Sequence, residues 1–166
     1  MRKLLFVFIL MFSIVIGKEN SVKKADDFTL KDINNQNFRL SETVKKYDLT
    51  IVNFWATWCT PCRAEIKDLT KLYKDIKNLN VHIVSISIDD TKTTGRVKSF
   101  AHANRMNYDV LLDSNNEVMR LYNVTNPPFT LILDKDMNII YKHSGYRKGD
   151  VQLLKKEIEN HLALKK

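Results

Sequence analysis

Leu49-Thr50-Ile51-Val52-Asn53-Phe54-Trp55-Ala56-Thr57-Trp58-Cys59-Thr60-Pro61-Cys62-Arg63-Ala64-Glu65 is the stretch on which the reading of this chain turns. Its first seven residues are β-branched, apolar or aromatic apart from Asn53, the pattern of a strand buried on both faces. Pro61 then opens a different period. Apolar residues at Ile66, Leu69, Leu72, Tyr73, Ile76 and Leu79 recur at intervals of three and four, which predicts an amphipathic helix ending at Asn78 to Asn80. Val81 to Ile88, mostly Val and Ile, predicts the next strand. Strand, helix and strand in direct succession make a parallel βαβ unit with a right-handed crossover.

The two cysteines fall at the junction of the first strand and its helix. The carboxyl end of a parallel strand is where open α/β sheets bind ligands. Pro61 suits a first helical turn and places Cys59 at or beside the N-cap, with unpaired backbone N–H groups aimed at it. That partial positive charge, with Arg63 close in sequence, favours the thiolate and lowers the Cys59 pKa below the ~8.5 of a free cysteine. Cys62, one turn on, lies deeper. Cys59 is therefore the expected nucleophile and Cys62 the resolving thiol.

Moving outward, Phe28-Thr29-Leu30 and Phe38-Arg39-Leu40 are short strands flanking a turn at Asn34-Asn35-Gln36-Asn37, and Ser41 offers an N-cap for a helical turn through Val44. Asp89 to Tyr122 holds a helix around Arg96 to Asn104, a short strand at Val110 to Leu112 and a helical turn near Glu117 to Tyr122. Thr130 to Asp134 and Ile139 to His143 form a hairpin. Asp150 caps a last amphipathic helix with Val151, Leu154, Ile158 and Leu162 on one face. The order is an α/β class βαβ, an inserted α/β segment, then ββα.

The 166 residues suffice for one domain with one sizeable core, and the 28% charged fraction is that of a folded chain. Arg2 and Lys3 precede thirteen residues without charge, Leu4 to Ile16, and then Gly17 and a polar run. This is the pattern of a secretory signal, too short at about 20 Å to span a ~30 Å hydrocarbon core comfortably. The expected organisation is a signal peptide at 1–17 (an anchor if retained), a short polar lead at 18–24 and a single domain from 25 to 166. The net charge is +8; losing residues 1–17 takes away two basic residues and no acidic one, leaving +6. The lysine pairs lack aromatic interleaving or a basic helix, so a solvated surface is expected rather than nucleic-acid binding.

Other chemistries fit the pair of cysteines less well. A zinc site needs two more ligands, and His82, His102, His143 and His161 are scattered singly. Covalent haem attachment needs histidine after the second cysteine, where Arg63 stands. A peroxidatic cysteine in the pattern Pro-x-x-x-Thr-x-x-Cys would require threonine and proline at the positions of Ala56 and Val52. An inert structural disulfide is the bland reading, and an exposed junction beside Trp58 is a poor place for one.

Trp-Ala-Thr-Trp-Cys-Thr-Pro-Cys-Arg-Ala-Glu resembles the active site of TlpA/ResA-like thioredoxin-fold proteins, a group of exported thiol–disulfide oxidoreductases within the redoxin, or AhpC/TSA, superfamily. The resemblance runs from about Ala25 to Leu162. It takes in Asp27-Phe28-Thr29-Leu30-Lys31-Asp32, the central insertion, and Tyr122-x-Val124 leading to Pro128-Phe129-Thr130-Leu131-Ile132-Leu133-Asp134. It implies a thioredoxin fold with an N-terminal β-hairpin extension and a central α/β insertion. It implies that Pro128 is the cis-proline beside the cysteines, that Glu65 tunes them, and that Trp58, with Pro127 and Pro128, shapes the substrate surface. For Glu65 the alternative is an acid that merely steadies the first turns of the helix; for Trp58 it is a purely structural aromatic.

Three positions depart from the family pattern. Pro127 has no N–H to offer a bound substrate chain. Lys67 stands where many relatives have a kinking proline, so a straighter helix is expected. Asn53 replaces the buried acid of thioredoxin, leaving proton transfer at Cys62 to Glu65 or water. The implied partners are disulfide-bearing proteins and a membrane electron donor of the DsbD or CcdA type; the implied chain is a monomer, exported, periplasmic or otherwise extracytoplasmic, with no cofactor. Cytochrome c maturation is among the family's roles. A Cu(I)-handling or redox-sensing module and a thiol peroxidase are the alternatives.

Overall fold

The computed structural model describes residues 23–164, so the expected signal segment and most of the polar lead lie outside the described residues. The chain-order elements are β1 (Thr29–Asp32), β2 (Asn37–Arg39), α1 (Leu40–Val44), β3 (Leu49–Trp55), α2 (Thr60–Ile76), a 3-10 turn (Lys77–Leu79), β4 (Val81–Ser87), α3 (Thr94–Ala103), β5 (Asp109–Leu112), α4 (Glu117–Leu121), β6 (Phe129–Asp134), β7 (Ile139–Ser144) and α5 (Asp150–Ala163). One seven-stranded sheet has the order β2-β1-β5-β4-β3-β6-β7. β3 pairs parallel with β4 from Leu49↔Val81 to Trp55↔Ser87 and antiparallel with β6. β3, apolar apart from Thr50 and Asn53, is central: both its edges are paired and every residue of it is buried.

Alternate residues of β3 feed two cores. Leu49 and Ile51 pack with Leu69, Leu72 and Ile76 of α2 and with Val151, Leu154 and Ile158 of α5. Val52 and Phe54 join Phe28, Phe38, Leu40 and Val44 in the second cluster, which also takes in both cysteines. The predicted N-terminal hairpin forms around Asn35, whose left-handed φ of 64° an asparagine tolerates. It reaches the main sheet only through the insertion, by antiparallel pairing of β1 with β5. The βαβ, insertion, ββα order is thus a thioredoxin-like sheet enlarged on one edge.

Some local expectations are corrected. Leu40 opens α1 instead of ending a strand, and Ser41 does not cap it: the Ser41 N–H and hydroxyl both donate to the Asp27 carboxylate, which also accepts from Arg39 Nε. Asp150 is the first residue of α5, after Gly149 at φ 107°; its carboxylate accepts the Arg147 N–H at 2.6 Å and lies 3.0 Å from His143 Nε2. Leu79, assigned to the buried stripe of α2, is exposed, because the helix tightens to 3-10 after Ile76 and Asn80 reverses the chain at φ 57°. α2 runs unbroken through Lys67.

Candidate active site

The carboxyl end of β3 delivers the chain to Cys59, the N-cap of α2, whose backbone is extended at φ −85°, ψ 106°. Pro61 occupies the first turn, where its missing N–H goes unneeded. Cys59 and Cys62 are joined by a disulfide with Cα atoms 5.2 Å apart. The Cys62 N–H also points at Cys59 Sγ, 3.2 Å away, the geometry of an N-cap contact that favours negative charge on the capping atom. Cys59 is 6% exposed and Cys62 0%, so of the two sulfurs Cys59 lies nearer the surface.

On the far side the Pro127–Pro128 peptide bond is cis, and the carbonyl oxygen of Pro127 stands 3.8 Å from Cys59 Sγ. The Pro128 carbonyl accepts the N–H of Gly145, tying this turn to the end of β7. Trp58, next to Cys59 in the chain, is 59% exposed.

Glu65 is not a surface acid of the first helical turn. It is 4% exposed and faces the sheet, where Asn53 Nδ2 donates to its Oε2 at 2.8 Å and Thr130 Oγ1 donates to its Oε1 at 3.1 Å. Asn53 also donates to Thr130 Oγ1 at 3.0 Å, closing a three-residue network between α2, β3 and β6. Burial pushes the Glu65 pKa up to about 7 against the pull of the two hydrogen bonds, and the Asp150 charge adds to the rise. Asn53 thus occupies the interior without a charge of its own and donates to a carboxyl whose pKa burial raises.

The sequence reading passed over Asp89. Its buried carboxylate accepts the Thr57 N–H at 2.8 Å, the Thr57 hydroxyl at 2.5 Å and the Ser87 hydroxyl at 2.8 Å, pinning the Ala56–Trp58 loop to the end of β4. The available signal was an acid directly after a buried strand, at the same end of the sheet as the cysteines. Asp89→Ala leaves three donors unpaired in the interior. It is expected to cost about 2–4 kcal/mol in urea unfolding of the oxidised protein, with Asp89→Asn recovering part of the loss. The histidines serve elsewhere: His82 Nε2 lies 2.7 Å from Asp109 and its ring stacks on Tyr47. Among the described residues no group of three or more His, Cys, Asp or Glu is placed to hold a metal ion.

A parallel-strand junction carrying a Cys-x-x-Cys pair against a cis-proline defines a thioredoxin-like oxidoreductase, and the profile of the AhpC/TSA family matches residues 22–142: the chain belongs to that family. Its similarity lies with the thiol–disulfide oxidoreductases within it. It is 30% identical to thiol-disulfide oxidoreductase ResA of Geobacillus kaustophilus over 83% of this chain and 74% of the relative, and 29% identical to ResA of Bacillus subtilis over 80% and 73%. A crystal structure described as the thiol:disulfide interchange protein DsbE from Chlorobium tepidum superposes with a TM-score of 0.75 at 27% identity, covering 84% of this chain and 95% of that one. StoA from Bacillus subtilis shares the fold, with a TM-score of 0.66 at 24% identity over 82% and 98%. The protein is a thiol–disulfide oxidoreductase of the ResA-like kind.

Proposed function

We propose that this chain reduces disulfides of exported polypeptides, with residues 1–17 as the export signal of a single domain beginning near Ala25. The observation that carries the reading is the unequal burial of the two sulfurs at the mouth of α2. The Cys59 thiolate attacks a substrate disulfide, forming a mixed disulfide and releasing one substrate thiolate. Cys62 loses its proton and attacks Cys59 Sγ; the Cys59–Cys62 bond forms and the second substrate thiolate leaves. Two electrons pass from the dithiol to the substrate, and the two substrate thiolates take up two protons. Glu65, one helical turn beyond Cys62, is the group we assign to accept the Cys62 proton, and Trp58 and the Pro127–Pro128 turn form the surface on which the substrate chain lies.

Return to the dithiol requires an external two-electron donor, for which a membrane protein of the DsbD or CcdA type has the right chemistry. Apocytochrome c, whose haem-binding thiols must be reduced, is one substrate that fits. The test is the reduction potential of the Cys59–Cys62 couple, measured by equilibration of the full chain with glutathione or dithiothreitol, together with insulin reduction. A reductase is expected to lie on the thioredoxin side, below about −200 mV; a value near −120 mV would make the chain an oxidant and reverse the proposed direction.

A further inference from the structure

An open groove of about 780 Å³ begins at Thr60, the residue after the attacking cysteine, and runs along the outer side of α2. Its helix wall carries Arg63, Lys67 and Lys71, spaced four residues apart and so on one stripe of the helix. Lys148 faces it from the segment before α5, and Phe100 of α3 contributes to its floor. The acid in the groove, Asp68, is already engaged: the Tyr146 hydroxyl donates to it at 2.5 Å and Lys71 Nζ at 3.1 Å. Arg63 and Lys67 form no ion pair among the described residues. With Lys71 paired to Asp68, the charges of Arg63, Lys67 and Lys148 leave the channel net positive as it leads away from the cysteine pair.

We propose that this groove docks an acidic stretch of the disulfide-bearing polypeptide, its carboxylates about two to six residues from the cysteine that Cys59 attacks. The inference rests on the exchange chemistry above and narrows its substrate class. The spacing follows from geometry: Arg63 stands about 6 Å and Lys71 about 18 Å along the helix from Cys59 at ~1.5 Å per residue, and an extended chain advances ~3.3 Å per residue. There is also a reason for such a handle. Pro127, at the position preceding the cis-proline, cannot donate a main-chain hydrogen bond to the substrate, so docking by strand addition is one bond short. Charge in a concave groove supplies both attraction and direction to an approaching chain. Concavity favours a polypeptide over a flat anionic membrane surface.

The test is stopped-flow reduction of short peptide disulfides by the reduced full chain, the peptides carrying acidic, amide or basic residues at the second to sixth positions from the cysteine. At low salt the acidic peptide is expected to react on the order of tenfold faster than the amide peptide, and the advantage should vanish near 0.5 M salt, where the Debye length is only about 4 Å. The pair Lys67→Glu and Lys148→Glu should erase or invert the preference, and Lys67→Gln with Lys148→Gln should halve it on a logarithmic scale. In both variants the rate with uncharged hydroxyethyl disulfide should stay unchanged. Equal rates for all three peptides at low salt would overturn the groove assignment, as would variants that lose binding to anionic vesicles while keeping the peptide preference. A wild-type chain unable to reduce hydroxyethyl disulfide would instead refute the exchange chemistry itself.

Discussion

Cys59→Ser is expected to lower disulfide-reduction turnover at least about 10³-fold, because it removes the less buried of the two thiols and leaves a hydroxyl that does not ionise at neutral pH. The matching Cys62→Ser variant should behave differently. Its Cys59 can still attack, but nothing resolves the product, so a mixed disulfide accumulates and is visible as an adduct in intact mass spectrometry under non-reducing conditions. The two variants together test the assigned order of attack. If Cys62→Ser turned over normally, or if adducts formed on Cys62 in the Cys59→Ser chain, the N-cap sulfur would not be the nucleophile. That outcome would contradict the geometry, in which Cys62 has no exposed surface and its own N–H points at Cys59 Sγ.

Glu65→Gln is the second large effect. With its pKa pushed up to about 7 by burial, the Glu65 carboxyl is ionised, and able to take the Cys62 proton, only as the pH rises past neutrality. Resolution of the mixed disulfide should therefore accelerate through pH 7 in the natural chain. In Glu65→Gln that inflection should disappear, with the rate at pH 8 down on the order of 10²-fold. An unchanged pH profile in rapid-quench measurements would remove Glu65 from the mechanism.

The same group leaves a thermodynamic trace. An unfolded glutamate releases its proton near pH 4.5, whereas the folded one keeps it to about 7. Between those values the native state binds more protons, so this group's contribution to stability declines as the pH rises, by roughly 3 kcal/mol over the whole interval. Urea unfolding of the oxidised chain at several pH values should show that loss as the difference between the natural chain and Glu65→Gln. Asp113, also raised by burial, and Asp27, Asp68 and Asp90, which are lowered, are common to both proteins and cancel. A difference that stays level across the interval would show that Glu65 ionises as readily folded as unfolded.

The pattern of Leu49 to Ile88 was enough to place a buried strand, a helix and a parallel partner, and with them the cysteines at a helix mouth. Period-two and period-3.6 repeats of apolar residues are local properties, and so is the preference of proline for a first turn. What the pattern could not decide was anything that depends on residues far apart in the chain. Glu65 reads on paper as a helix acid; packing against the sheet strips it of water and raises its pKa, while Asn53 from β3 and Thr130 from β6, twelve and sixty-five residues away, hold it by hydrogen bonds that pull the other way. Asp89 looks like loop polarity until Thr57 and Ser87 converge on it.

The caps show the same limit at shorter range. Ser41 and Asp150 have the right side chains in the right places, yet Asp27 draws the first away, and the second is already inside its helix. Composition and spacing by themselves determined the α/β class, the βαβ core and the sulfur pair at the strand–helix junction, because burial periodicity and helix-end chemistry are written in neighbouring residues. Tertiary structure alone decided which carboxyl titrates near neutrality, how the hairpin joins the sheet through β5, and where the cations of α2 and the segment before α5 gather into one channel. Desolvation and convergent charge arise only when distant segments exclude water together.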